Sequence, residues 1–125
     1  MEIDGLWTVQ FTSLRERHGG LPVEEEVARG GVFVITDGRV LGGGISYYFV
    51  GTACADGATI ELQLHATRYN DFVTGLFDAG AQVQISAHGE LRDDRMVLDA
   101  FVPGLANASI HIEATRRERG HWTKV

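Results

Sequence analysis

Two runs of strand-forming residues separated by Asp56-Gly57 constrain this chain most. Before the pair stands Ser46-Tyr47-Tyr48-Phe49-Val50-Gly51-Thr52-Ala53-Cys54-Ala55; after it stands Ala58-Thr59-Ile60-Glu61-Leu62-Gln63-Leu64-His65-Ala66-Thr67. Asp-Gly between such runs marks a tight β-hairpin, because both residues tolerate positive φ. A two-residue Asp-Gly loop sets Ala55 opposite Ala58, Ala53 opposite Ile60, Gly51 opposite Leu62, Phe49 opposite Leu64 and Tyr47 opposite Ala66. Those pairs form one apolar face. Thr52 with Glu61, Val50 with Gln63, and Tyr48 with His65 form the other. The hairpin therefore has a core side and a solvent side.

The same period-2 pattern recurs along the chain. Trp7, Val9 and Phe11 alternate with Thr8, Gln10 and Thr12. Val32 to Ile35 runs into Asp37-Gly38, a second hairpin signal that pairs Ile35 with Val40 and Val34 with Leu41. Gly42-Gly43-Gly44 lies inside a strand pattern and marks a bulge or sharp bend; it lacks the Lys-Ser/Thr and the helix of a phosphate loop. Val83, Ile85, Ala87, Gly89 and Leu91 return through Asp93-Asp94 to Met96, Leu98, Ala100 and Val102, with Leu91 facing Met96. Ala108, Ile110, Ile112 and Ala114 alternate to the end.

This pattern predicts eight strands, over about 6–12, 31–37, 39–44, 46–55, 58–67, 82–92, 95–102 and 107–116. Helical periodicity is confined to a short stretch at 70–79. Eight meandering strands with one apolar face favour closure into an all-β, antiparallel up-and-down barrel, since closure removes sheet edges. One domain spans 1–125, with loops over 13–30 and 68–81 and a polar tail over 117–125. The expected interior includes Trp7, Tyr47, Phe49, Leu62, Leu64, Ile85, Leu98 and Ile110. Small residues among them, such as Ala53, Ala66 and Ala87, either leave a cavity for a small apolar ligand or let large neighbours interdigitate.

Composition excludes several functions. The 125 residues carry a net charge of −6, and the basic face that nucleic-acid binding needs is missing outside Arg116, Arg117 and Arg119. Cys54 is the single cysteine, so the chain has no internal disulfide and a reducing, cytoplasmic setting is expected. No apolar stretch reaches membrane-spanning length, and Met1-Glu2-Ile3-Asp4 does not open like a signal peptide.

Reactive constellations are sparse. His88 registers opposite Asp99, the orienting half of a nucleophile relay, but no serine sits in a nucleophile elbow. The bland reading is a cross-strand polar pair. His65, His88 and His111 share the polar parity without metal-site spacing, so no metal and no cofactor are expected. Cys54 has no cation near it in sequence to lower its pKa. Glu24, Glu25 and Glu26 form either a solvated loop or an acidic handle for a basic partner. Tyr48, Val50, Val97 and Phe101 are apolar at outward positions, a surface suited to a partner, most simply a second copy.

Two resemblances follow. Gly5-Leu6-Trp7 resembles the Gly-x-Trp that opens the first strand of lipocalins, where a C-terminal basic residue, here Arg116 or Arg117, packs over the Trp. Most of the chain resembles the GrlR family, small bacterial regulators named for a negative regulator of type III secretion. The resemblance rests on Asp4-Gly5-Leu6-Trp7, Asp37-Gly38-Arg39-Val40-Leu41-Gly42-Gly43, Tyr48 to Gly51, and Leu64-His65-Ala66-Thr67-Arg68-Tyr69-Asn70. It implies a lipocalin-like barrel, a homodimer, and regulation by binding a transcriptional activator rather than DNA. The family's founding regulator carries an acidic run at the hairpin turn; here Ala53 to Ala58 holds one acid, Asp56. The expectation is a non-enzymatic regulatory binding protein. A carrier of a small apolar ligand is the alternative, and an enzyme using His88 and Asp99 is third.

Overall fold

The computed structural model describes residues 2–15, 25–69, 82–102 and 108–119. Eight strands appear: β1 (Gly5–Arg15), β2 (Glu25–Thr36), β3 (Arg39–Gly44), β4 (Tyr47–Asp56), β5 (Thr59–Arg68), β6 (Gln82–Arg92), β7 (Arg95–Phe101) and β8 (Ala108–Arg119). Each pairs antiparallel with the next, and β8 pairs back onto β1, closing the barrel. The all-β, up-and-down barrel expected from the alternation is thus the fold, and it is lipocalin-like. No helix among the described residues is long and apolar enough to cross a membrane.

Three tight turns at one end show how loop chemistry sets register. At Asp37-Gly38 both residues have positive φ, 49° and 80°. That matches a type I′ loop, and Ile35 faces Val40 as expected. Leu91 likewise faces Met96 across Asp93-Asp94. The opening hairpin differs. Its loop residues are Gly57 and Ala58, and only Gly57 has positive φ, 61°. A glycine at the first loop position is the II′ arrangement. Asp56 therefore joins the ladder opposite Thr59, and its main-chain oxygen accepts a hydrogen bond from Thr59 Oγ1 at 2.8 Å. Ala55 faces Ile60, Ala53 faces Leu62, Gly51 faces Leu64, and Phe49 faces Ala66. The register is two residues away from the sequence expectation. A slip of two preserves parity, so every residue keeps its predicted face.

Strand ends depart more. Segments 13–15 and 25–30, read as loop, belong to β1 and β2, with Arg15 opposite Glu25 and Leu14 opposite Glu26. Glu25 and Glu26 thus sit in a strand and not in an acidic loop; Glu24 lies outside the described residues. Arg117 to Arg119 extend β8 rather than forming a tail. The expected loop at 68–81 is described only at Arg68 and Tyr69, and the stretch with helical periodicity at 70–79 lies outside the described residues.

The interior is apolar. Phe11, Phe33 and Phe49 meet with ring centroids 5.2–5.8 Å apart, one pair stacked and two edge-on, the geometries aromatic quadrupoles favour. Gly42 lies between Phe33 and Phe49 in the ladder. A Cβ there would stand 2.1 Å from the Val32 carbonyl oxygen and 2.7 Å from Phe33 Cδ1. Only glycine lets β3 approach the aromatic cluster this closely. Gly42→Ala is therefore expected to destabilise by about 1–3 kcal/mol, the usual cost of overpacking. Urea denaturation checks this, and an unchanged midpoint would refute it.

At the turn end, Trp7 is fully buried and its Nε1 donates to the Ile3 carbonyl oxygen at 3.0 Å. Arg116 covers its ring, with Cζ 5.1 Å from the centroid. The arginine also donates to the carbonyl oxygens of Glu2, Asp4 and Asp93 and to the Asp94 carboxylate, the last at 2.9 Å. One side chain ties β8, the N-terminal segment and the β6–β7 turn together. Between the two arginines that could cover Trp7, Arg116 does so, in register opposite it, and a bulge follows. Leu6 pairs with Glu118 but Trp7 pairs with Arg116, so Arg117 is the extra residue. Such an extra residue re-aims neighbouring side chains.

Candidate functional site

The outward positions divide the barrel into two sectors. On β2 to β6, register places Val34, Leu41, Val50, His65 and Gln84 in one row and Val32, Gly43, Tyr48, Thr67 and Gln82 in the next. A third row continues Thr52, Gln63 and Ser86 to Phe101 on β7. These rows contain no Asp, Glu, Lys or Arg. Arg39, Glu61 and Asp99 stand at their border. The belt exposes large apolar side chains: Leu41 at 57%, Phe101 at 51%, Val50 at 46%, Tyr48 at 45% and Val32 at 44%. Between Val50 and Phe101 lies an open trough of about 400 Å³, floored by Thr52, Gln63, His65 and Gln84. Gln63 Nε2 donates to Ser86 Oγ across it at 2.9 Å. Depletion of charge with exposed aromatic and aliphatic side chains is the composition of an interface core.

Of the outward residues expected to form one surface, the structure brings together Tyr48 and Val50, with Phe101 across the trough. Val97 is separate: on β7 it stands between Glu90 and Glu113. Val32 belongs to the belt, as does Leu41, which sequence did not single out. The available signal was a run of uncharged outward residues within each strand: Val32 and Val34, Leu41 and Gly43, Tyr48 to Thr52, and Gln63 to Thr67.

The belt's mouth-side corner is held by Arg68 and Tyr69 at the end of β5. Arg68 Nη2 donates to Tyr47 Oη at 3.2 Å, and its Cζ stands 5.6 Å from the Tyr47 ring centroid. Tyr69 donates its hydroxyl to the Gly44 carbonyl oxygen and its N–H to the Ser46 carbonyl oxygen. Asn70 lies outside the described residues. Arg68 and Tyr69 therefore tie the end of β5 to the β3–β4 connection.

The second sector, on β7, β8 and the turn-side half of β6, is charged. His88 does stand opposite Asp99, but Asp99 accepts from or pairs with His111, whose Nδ1 is 3.1 Å from its Oδ1. His111 Nε2 is 3.7 Å from Glu113, and Arg95 is 3.6 Å from the same carboxylate. Among the described residues, no hydroxyl or thiol is hydrogen-bonded to His111. His65 lies apart, opposite Val50 and Gln84, and the described residues hold no group of three ligands fit for a metal ion. Cys54 is exposed on the outward face, opposite Glu61.

The eight residues named for the interior do share it. Trp7, Tyr47, Phe49, Leu62, Leu64, Ile85, Leu98 and Ile110 are each no more than 5% exposed. A side chain lining an open void keeps accessible area on its inner side; these have almost none. A ligand among them would have to displace packed side chains. No protein-family model matches the chain, and no curated protein is significantly similar to it.

Proposed function

We propose that this chain is a non-enzymatic regulatory binding protein that acts by protein–protein contact through the charge-free belt on β2 to β7. The belt is the observation that carries the reading. A surface rich in Leu, Val, Tyr and Phe, free of charge over three register rows, loses little on desolvation and gains from burial. The first partner is a second copy of the chain. Two molecules of net charge −6 repel one another, and a neutral face is where they can meet with least repulsion. The resemblance to the GrlR family adds a transcriptional activator as the second partner. The same resemblance supports a cytoplasmic, bacterial setting and a link to type III secretion control.

Sedimentation equilibrium tests the surface. The wild-type chain is expected to dimerise at micromolar concentration, and Leu41→Asp to sediment as a monomer with an unchanged circular dichroism spectrum. A strictly monomeric wild type removes the dimer. The regulatory role is tested by affinity capture from the native cell. A transcriptional activator retained by wild type and lost with Leu41→Asp supports it. Capture of the same activator by both proteins would place the contact elsewhere.

A further inference from the structure

We infer that the charged sector holds an anion site, built between Arg95 and Arg117, that takes a phosphate or phosphomonoester group. Arg95 stands opposite Thr115 across the β7–β8 ladder, and Arg117 follows Thr115 by two residues on β8. The two guanidinium groups thus flank one threonine. Between them an open trough of about 390 Å³ is lined by Thr8, Gln10, Arg95, Glu113, Thr115 and Arg117. The lining residues carry two hydroxyls, one amide and two guanidinium groups, against one carboxylate.

The arginines are positioned but not used up. Arg117 donates only its Nε, to Thr8 Oγ1 at 2.8 Å, which leaves both terminal amino groups without a partner among the described residues. Arg95 meets Glu113 through Nη2 at 3.6 Å, too long for a hydrogen bond, and its other donors are open among the described residues. Thr8 is held in turn, its Oγ1 3.5 Å from the Thr115 carbonyl oxygen. A planar fork of N–H donors on each side matches the oxygens of a tetrahedral phosphoryl group, which accepts paired hydrogen bonds from arginine.

The chain's acidity does not cancel this. At 0.1 M salt the screening length is about 10 Å, so charges within the trough outweigh distant ones. The trough lining sums to one net positive charge, from Arg95, Arg117 and Glu113. Asp94 is engaged by Arg116 and Arg119, at 2.9 and 3.0 Å. Glu113 is the competing anion, so its removal should strengthen binding.

The test is a titration of the full chain with inorganic phosphate and with glycerol phosphate, followed by amide NMR shifts at constant ionic strength. Saturating shifts at Thr8 and Thr115 are expected, with a dissociation constant in the millimolar range. Arg95→Gln or Arg117→Gln should weaken binding by about tenfold, the scale of one charge-assisted hydrogen bond. Thr115→Val should weaken it without changing net charge, and Glu113→Gln should tighten it several-fold. Because Thr115→Val is isosteric and Glu113→Gln predicts a gain, loss of folding cannot mimic the pattern. Equal binding of both probes assigns the phosphoryl group itself as the ligand; tighter binding of the ester assigns a phosphomonoester. Linear shifts that chloride reproduces, or affinity unchanged in both arginine variants, would overturn the site. The oligomeric state is independent of every arm, so failure here leaves the belt untouched.

Discussion

Replacing Phe33 with alanine is expected to lower the unfolding free energy by about 3–5 kcal/mol. Phe33 is fully buried and meets both Phe11 and Phe49 edge-on. The cost combines lost transfer energy with the void left beside two rings already stacked on each other, their centroids 5.2 Å apart. Their backbones belong to β1 and β4, which lie on either side of β2 and β3 in the closed barrel. A domain of this size is stable by roughly 5–15 kcal/mol, so the variant should melt far below wild type. Urea denaturation with an unchanged m-value gives the number. A loss under 1 kcal/mol would mean the cluster repacks freely, as a loose, ligand-ready interior would. Native mass spectrometry of the wild-type chain completes that comparison, with an unliganded mass as the expected result. A co-purifying apolar molecule would favour the carrier reading.

Arg116→Ala should cost roughly 2–4 kcal/mol, since hydrogen bonds to a charged donor are among the more valuable ones, two of these are half-buried, and the side chain also covers Trp7. The side chain is only 6% exposed, and its removal uncovers Trp7 while freeing the carbonyl oxygens of Glu2, Asp4 and Asp93. Arg116→Lys should recover only part of this. A lysine keeps the charge but lacks the planar fork that reaches several acceptors while stacking on the indole. Arg117→Ala serves as the control. Its guanidinium points outward to Thr8, and its loss should leave stability within about 0.5 kcal/mol, as for most surface changes. If the two alanine variants were equally stable, Arg116 would not be the clamp of this end.

The choice between Arg116 and Arg117 was already open to reading. Ile110, Ile112 and Ala114 share the inward parity, and Arg116 continues it. No local pattern, however, announces the bulge opposite Leu6 and Trp7, because it arises where β8 meets β1. The hairpin at Asp56 teaches a similar lesson. Asp-Gly can occupy both loop positions, as Asp37-Gly38 does, or place only its glycine in the loop, as at Gly57. Both forms suit the local sequence; the ladder of β5 against β6 settles which is used, with Thr59 opposite Glu90 and Ile60 opposite Gly89.

Segment 25–30 hid for another reason. Glu-Glu-Val-Ala-Arg-Gly has poor strand propensity and no alternation, and its pairing with β1 draws it into β2. The candidate surface was half legible. Tyr48, Val50 and Phe101 are apolar at outward positions, which parity alone reveals. Their union with Leu41 and Val32, and the exclusion of Val97, depend on which strands lie side by side and at what height.

Alternation by itself therefore determined the class of fold, the inward or outward face of nearly every strand residue, and the apolar identity of the core. These follow from a side-chain period of two, a property of each strand alone. The tertiary structure decided the closure of β1 on β8, the two-residue register of the opening hairpin, Arg116's seat on Trp7, and the gathering of uncharged outward residues into one belt. Each of these is a relation between strands, and only hydrogen-bonded pairing around the closed barrel sets it.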